Sequence, residues 1–147
     1  MAAPSISEDW VAVSAKLPDE AAKVAAFIAD CYEDMSPSPE AVLEWTRRSV
    51  FAPNLWIWIR DRRTRADLAL GIAELDRTIG EASLEWVQVH PDARRQGVGR
   101  SLVIELLRRS SQGAKFATVS GRAGSPAESL YRSCGFVDVN IWWCLRR

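Results

Sequence analysis

Arg94, Arg95, Gly97 and Gly99 crowd into one short run, VHPDARRQGVGRSL over 89–102, where a β-type stretch hands over to a helix-type one. A helix N-terminus leaves backbone N–H groups unpaired and carries a partial positive charge. With no side chain at Gly97 or Gly99, a phosphate can approach those N–H groups closely. Arg94, Arg95 and Arg100 then add charge-assisted contacts to phosphate oxygens. The chemistry is that of a di- or triphosphate-bearing ligand, and the plain alternative is a tight turn with a charged rim. Two familiar nucleotide loops do not fit. No GxxxxGK[ST] run is present. The dinucleotide fingerprint needs a third glycine where this chain has Leu102, and it opens a parallel unit near the N-terminus.

The elements that must position this loop follow from periodicity. Residues 9–15 alternate weakly and predict a first strand. Residues 18–35 predict a helix, with Val24, Phe27, Ile28 and Cys31 at helical spacing and Pro18 in the first turn. SPSPE (36–40) breaks it, and a second helix is expected from Pro39 to Val50 with Ser38 as its cap. The period then changes. NLWIWIR (54–60) sets Leu55, Ile57 and Ile59 on one face and Trp56 and Trp58 on the other, as a central strand covered on both sides would. Residues 68–75 and 82–89 supply two more strands, and the short loops make the three antiparallel neighbours.

A helix over 97–111 follows, with Val98, Leu102 and Leu106 for burial and a Glu105–Arg109 pair outside the apolar stripe. A strand at 116–120 comes next, in parallel crossover. A helix at 125–134 has Ser125 as cap and Gly135 as stop, and the chain closes as strand. The fold class is α/β, with a mixed, mainly antiparallel central sheet flanked by helices. Residues 1–147 read as a single domain.

Composition narrows the function classes. Lys+Arg and Asp+Glu both number 19, so the zero net charge argues against a general nucleic-acid binder. No apolar run reaches the roughly 18 residues of a membrane span, and the N-terminus lacks a secretory layout. Cys31, Cys134 and Cys144 are odd in number and form no C-x-x-C pair, which points away from disulfides and zinc and towards a reducing, cytoplasmic setting.

The loop and its flanks resemble the acyl-CoA-binding motif of the GCN5-related N-acetyltransferase (GNAT) superfamily. That pattern is a strand ending in Val-x-Pro, then Arg or Gln, two residues, Gly, one residue, and Gly or Ala. Here it reads Val89-His90-Pro91, then Arg94-Arg95-Gln96-Gly97-Val98-Gly99. A second family signature, A-x-x-L-Y-x-x-x-G-F, matches Ala127 to Phe136, and the gap between the two suits a helix and a strand. The order of elements agrees over essentially the whole chain.

The resemblance implies the GNAT acyl-CoA N-acyltransferase fold and transfer of an acetyl group from acetyl-CoA to a primary amine, by direct attack in a ternary complex without metal. It implies that Val89 and residues Arg94, Arg95, Gln96, Gly97, Val98, Gly99 and Arg100 hold the pantetheine and pyrophosphate. The strands at 82–89 and 116–120 would splay to admit the cofactor arm, and a backbone N–H near Val87 would polarise the thioester carbonyl. Tyr131 would protonate the leaving thiolate. A general base on the 82–89 strand falls to Glu85, placed by simple alternation on the face of Ser83 and Val87, with Glu81 and Glu74 as rivals. The other reading is a catalytically silent acyl-CoA sensor or partner-binding module that keeps the cradle and lacks a working base.

Two positions depart from the family pattern. Gly124 stands where an Asn often precedes the motif tyrosine by seven residues. The stretch after Phe136 is short, and forms one long strand or an edge that a second copy completes as a homodimer. The remaining chemistry-bearing residues have structural readings. His90 is an exposed turn residue, Cys134 a packing residue, Trp56 and Trp58 core, and Arg108 and Arg109 a solvated helix face.

Overall fold

In the computed structural model, which describes residues 7–122 and 124–137, a five-stranded sheet runs in the order β1-β2-β3-β4-β5. Its strands are β1 (Trp10–Ser14), β2 (Trp56–Asp61), β3 (Asp67–Asp76), β4 (Glu81–Val89) and β5 (Phe116–Val119). The first four are antiparallel to their neighbours, and β5 pairs with β4 in parallel. Four helices flank the sheet: α1 (Ala21–Cys31), α2 (Pro39–Trp45), α3 (Val98–Ser110) and α4 (Pro126–Ser133). The expected last strand lies beyond the described residues. Among those described, no helix is long and apolar enough to cross a membrane.

The two-faced pattern of β2 divides the core. Leu55, Ile57 and Ile59 join Val98, Leu102 and Leu106 of α3 in one cluster. Trp56 and Trp58 join Val24, Phe27 and Ile28 of α1 and Val42 of α2 in the other. An aromatic strand buried on both faces therefore works as the central partition of the domain. Leu55 itself belongs to a short 3-10 turn, Pro53–Leu55, and β2 starts one residue later.

Three expectations need correction. Helix α1 starts at Ala21 rather than Pro18. Glu20 is its N-cap residue, and its carboxylate accepts the Lys16 N–H at 2.6 Å and pairs with Lys23 at 3.2 Å. Helix α2 stops at Trp45 rather than Val50. The Thr46 hydroxyl donates to the Leu43 carbonyl at 2.6 Å, and the chain tightens into i+3 bonds through Arg47 and Arg48.

The third concerns α3. Glu105 is buried, 7% exposed, and pairs with both Arg108 and Arg109. Arg109 is not part of a solvated face: its guanidinium donates to the Ser14 hydroxyl at 2.9 Å and to the Asn54 carbonyl at 3.0 Å. It ties α3 to β1 and to the entry of β2. Sequence spacing identified the pair but not its distant partners.

Candidate functional site

The parallel ladder between β4 and β5 is short. It runs from Glu81↔Phe116 to Leu84↔Val119 and ends there, while β4 continues to Val89. Because β5 itself ends at Val119, the far half of β4 has no partner strand on that side among the described residues. The loop from His90 to Gly97 follows that unpaired half, and α4 borders α3 beside it.

The loop is shaped by its own residues. Pro91–Ala93 makes a single 3-10 turn, capped by His90, whose Nδ1 accepts the Asp92 N–H at 3.2 Å. His90 is half-buried and lies 6.0 Å from the Phe27 ring, so its place is structural. Arg95 and Gly97 take left-handed backbone angles, φ 65° and 82°, and Gly97 caps α3. Alternation of this kind turns successive N–H groups inward as an anion-binding nest. Among the described residues, the backbone N–H groups of Arg94 through Arg100 reach no protein acceptor. A Cβ built on Gly97 would meet nothing within 4 Å, whereas one on Gly99 would press on Val89 and Leu130 at 3.3 Å. Gly97 keeps the cradle open, and Gly99 lets α3 close on β4 and α4.

The arginines divide their labour. Arg94 reaches across to the Cys31 carbonyl at 3.5 Å, at the C-terminus of α1. Arg95 and Arg100 are exposed at the cradle. Val89 is tied to α1 as well, since the Cys31 thiol donates to its carbonyl at 3.8 Å. Val98 is fully buried and anchors the first turn of α3. Val87 packs with the α3 cluster in the second half of β4, and Gln96 is exposed.

Glu85 occupies a β-bulge. The register shifts from Ile72↔Trp86 to Ala73↔Leu84, so Glu85 is the extra residue opposite β3. The bulge overturns the expected alternation. Leu84 and Val87 pack with the α3 cluster and Trp86 with the α1–α2 cluster, so Glu85 shares a side with Ser83 but not with Val87. Its exposed carboxylate accepts the Ser83 hydroxyl at 2.7 Å. Glu74 stands opposite Ser83 on β3, paired with Arg48 at 2.9 Å. Burial raises the Glu74 carboxyl above its ordinary value, and the Glu85 charge adds to the rise while Arg48 opposes it. Glu81 accepts the Thr118 hydroxyl at 2.8 Å across the parallel pairing, away from this group. Sequence reasoning missed the aromatic wall beside the bulge: Trp45 of α2 stacks on Trp86 at 5.3 Å, and Tyr32 meets the other edge of Trp86 at 6.3 Å. No local pattern could have found it, since three separate segments converge there.

Tyr131 stands on α4, whose start is fixed by Ser125 accepting the Glu128 N–H. Its ring packs edge-on against Phe136 at 6.0 Å and lies against Gly121, just past the end of β5. Burial lifts its phenol above the ordinary value, and Tyr32 and Cys134 push the same way. The group is therefore protonated at neutral pH, as a proton donor must be. Gly124, the departure noted above, offers its N–H to Glu128 at 2.6 Å, so the carboxylate of α4 holds the turn there.

A family model described as an acetyltransferase (GNAT) domain matches residues 53–138. The chain belongs to the GNAT acetyltransferase family. Among solved structures, a GCN5-related N-acetyltransferase from Sphaerobacter thermophilus superposes with TM-score 0.76 at 18% identity, covering 91% of this chain and 43% of that one. A glucosamine-6-phosphate N-acetyltransferase from Arabidopsis thaliana gives 0.69 at 16%, covering 95% and 99%. At these identities the likeness shows the GNAT fold. The UPF0157 protein YqkA of Bacillus subtilis is 28% identical over 67 residues, 46% of this chain. The chain spans a fifth of the length of that curated relative.

Proposed function

We propose that this GNAT domain transfers an acetyl group from acetyl-CoA to a primary amine by direct attack. The observation that carries the reading is the unbroken run of N–H groups from Arg94 to Arg100 that reach no protein acceptor among the described residues, next to the unpaired half of β4. Those groups, with Arg95 and Arg100, hold the pyrophosphate, and Gly97 lets it approach. The arm runs along the unpaired half of β4 past Val89 and Val87, and a β4 N–H near Val87 polarises the thioester carbonyl, where negative charge develops. Acetyl-CoA supplies the activated acyl group.

On the α1–α2 side, the Glu85 carboxylate removes a proton from the incoming ammonium, directly or through one water, with Glu74 as its neighbour. The neutral amine attacks the carbonyl, and Tyr131 gives its phenolic proton to the departing thiolate. The raised Tyr131 phenol fits that role, and so does its position at the end of β5. As a domain of this family the chain is read as working in the cytoplasm, without nucleic acid, membrane or metal.

The test is the thermal midpoint with excess acetyl-CoA, with NAD and ATP as controls. A ligand at about 100 times its Kd stabilises by roughly 2.7 kcal/mol, a shift of several degrees for a domain of this size. A shift with acetyl-CoA alone supports the cradle, and thiol release with a panel of amines then tests transfer. A folded sample with no shift would sink the reading.

A further inference from the structure

The bulge on β4 turns two consecutive side chains, Glu85 and Trp86, to the α1–α2 side of the sheet. In a regular strand such neighbours point to opposite faces, so the extra residue is what brings this carboxylate and this indole together. Trp45 stacks on Trp86 with an angle of 21° between the rings, and Tyr32 meets it at 67°. All three rings are half-buried, so part of each faces solvent beside the exposed Glu85 and its neighbour Glu74. We propose that this aromatic wall and carboxylate pair select an acceptor whose primary amine sits on an apolar body free of anionic groups, an inference that rests on the transfer reaction proposed above.

The charges of the group set one half of the selection. The Arg48 guanidinium donates to Glu74 Oε1 at 3.0 Å and lies 2.9 Å from Oε2, so it is committed to that carboxylate. Glu85 has no cationic partner among the described residues. Two carboxylates against one guanidinium leave the group net negative, which suits an ammonium. A carboxylate or phosphate on the acceptor would meet like charge there, and such juxtaposition rejects a partner more strongly than it binds the right one. Arg94 also acts on Tyr32, but it belongs to the cradle loop and donates to the Cys31 carbonyl. The rings set the other half. Their exposed parts offer apolar area, and covering it favours binding in proportion to the surface removed from water. Tyr32 also acts on the Tyr131 phenol, so the wall runs from the carboxylates towards the proton donor proposed above.

The experiment measures thiol release from acetyl-CoA with phenethylamine, ethanolamine, phenylalaninol, phenylalanine and a lysine-bearing peptide. Phenethylamine should give a kcat/KM about a hundredfold above ethanolamine, the scale of burying one aromatic ring. Phenylalaninol, with a hydroxymethyl group in place of the carboxylate, should exceed phenylalanine by about tenfold. Trp45→Leu should raise the KM of phenethylamine about tenfold with kcat and the Kd of acetyl-CoA unchanged, and Trp45→Phe should keep most of the wild-type affinity. Glu74→Gln should narrow the preference for phenylalaninol over phenylalanine to about threefold. Ethanolamine or the peptide reacting as fast as phenethylamine, or phenylalanine matching phenylalaninol, overturns the acceptor class and leaves the transferase reading standing. An unchanged KM in folded Trp45→Leu, or acetyl-CoA binding without thiol release on any of these amines, overturns it as well. Failure of the folded protein to bind acetyl-CoA overturns the function proposed above, and the acceptor class with it.

Discussion

The Ser83 hydroxyl donates to the Glu85 carboxylate at 2.7 Å, two residues apart on one strand. In a regular strand such residues lie on one face nearly 7 Å apart at the backbone. Here the bulge at Glu85 brings the hydroxyl and carboxylate together and leaves the carboxylate exposed beside Glu74. If Glu85 is the base, Glu85→Gln should lower kcat by about a hundredfold with little change in acetyl-CoA affinity, the usual scale for one proton-transfer group. Ser83→Ala should cost far less. Full activity in Glu85→Gln would remove it from the mechanism.

Tyr131→Phe keeps the packing against Phe136 and Gly121 and removes only the phenol. Acetyl-CoA binding should stay unchanged while kcat falls by about ten- to a hundredfold. The loss should be smaller with thioesters whose leaving thiol is more acidic, because such a thiolate needs less protonation. Equal losses across leaving groups would assign Tyr131 to packing alone.

Glu105 is a buried carboxylate held by two arginines, with Arg109 also bonded to Ser14 and Asn54. Removing one partner of a buried pair typically costs about 3 kcal/mol. Glu105→Gln should lose that amount in urea unfolding at pH 7. Hydrogen bonds from Arg108 first, then Arg109, hold its carboxyl below the ordinary value. The stabilisation is therefore complete above the unfolded-state pKa and fades as pH falls through the folded one. Wild type and variant should converge towards pH 3, and a gap independent of pH would argue for packing instead of charge.

Glu74 has the opposite sign. Its carboxyl is raised, chiefly by burial, so the folded state prefers the neutral form. Ionisation works against folding as pH rises above the unfolded-state value and through the folded one. Glu74→Gln should therefore raise the thermal midpoint at pH 7 relative to wild type and make no difference at pH 3.5. A midpoint lowered at pH 7 would mean that the Arg48 pair outweighs burial.

Burial pushes the Cys31 thiol up to about 11, against the opposing charge of Arg94. At pH 8 only about one molecule in a thousand carries the reactive thiolate. Native protein treated with iodoacetamide at pH 8 should show Cys31 unmodified by mass spectrometry. Rapid labelling would show that α1 opens from Val89 more readily than its contacts indicate.

What could be read from the sequence was local. Alternation in NLWIWIR gave the two faces of β2, and short polar turns gave the three antiparallel neighbours. The glycine spacing located the start of α3 and its close contact with β4, because a left-handed cap and a close helix–strand approach each demand glycine at a definite position. Period-two counting could not register the extra residue at Glu85, since a bulge leaves no mark in composition. The stacked Trp45 and Trp86 and the Arg109 ties bring together residues about 40 to 95 apart, and they become visible only once the sheet is assembled.

The early end of the β4–β5 ladder has a further consequence for how the domain meets other chains. Beyond Leu84 the second half of β4 has no partner strand on the β5 side among the described residues, so it carries backbone donors and acceptors spaced for pairing. Edges on the rim of a sheet recruit other polypeptides and must be guarded by charge, proline or cover. Here that stretch is short, Glu85 to Val89, and the bulge at Glu85 breaks its regular pairing pattern, which blunts it as a template. Under the function proposed above, the amide-bearing arm of the acyl donor would take that edge, and the bulge would hinder a further strand from extending the sheet.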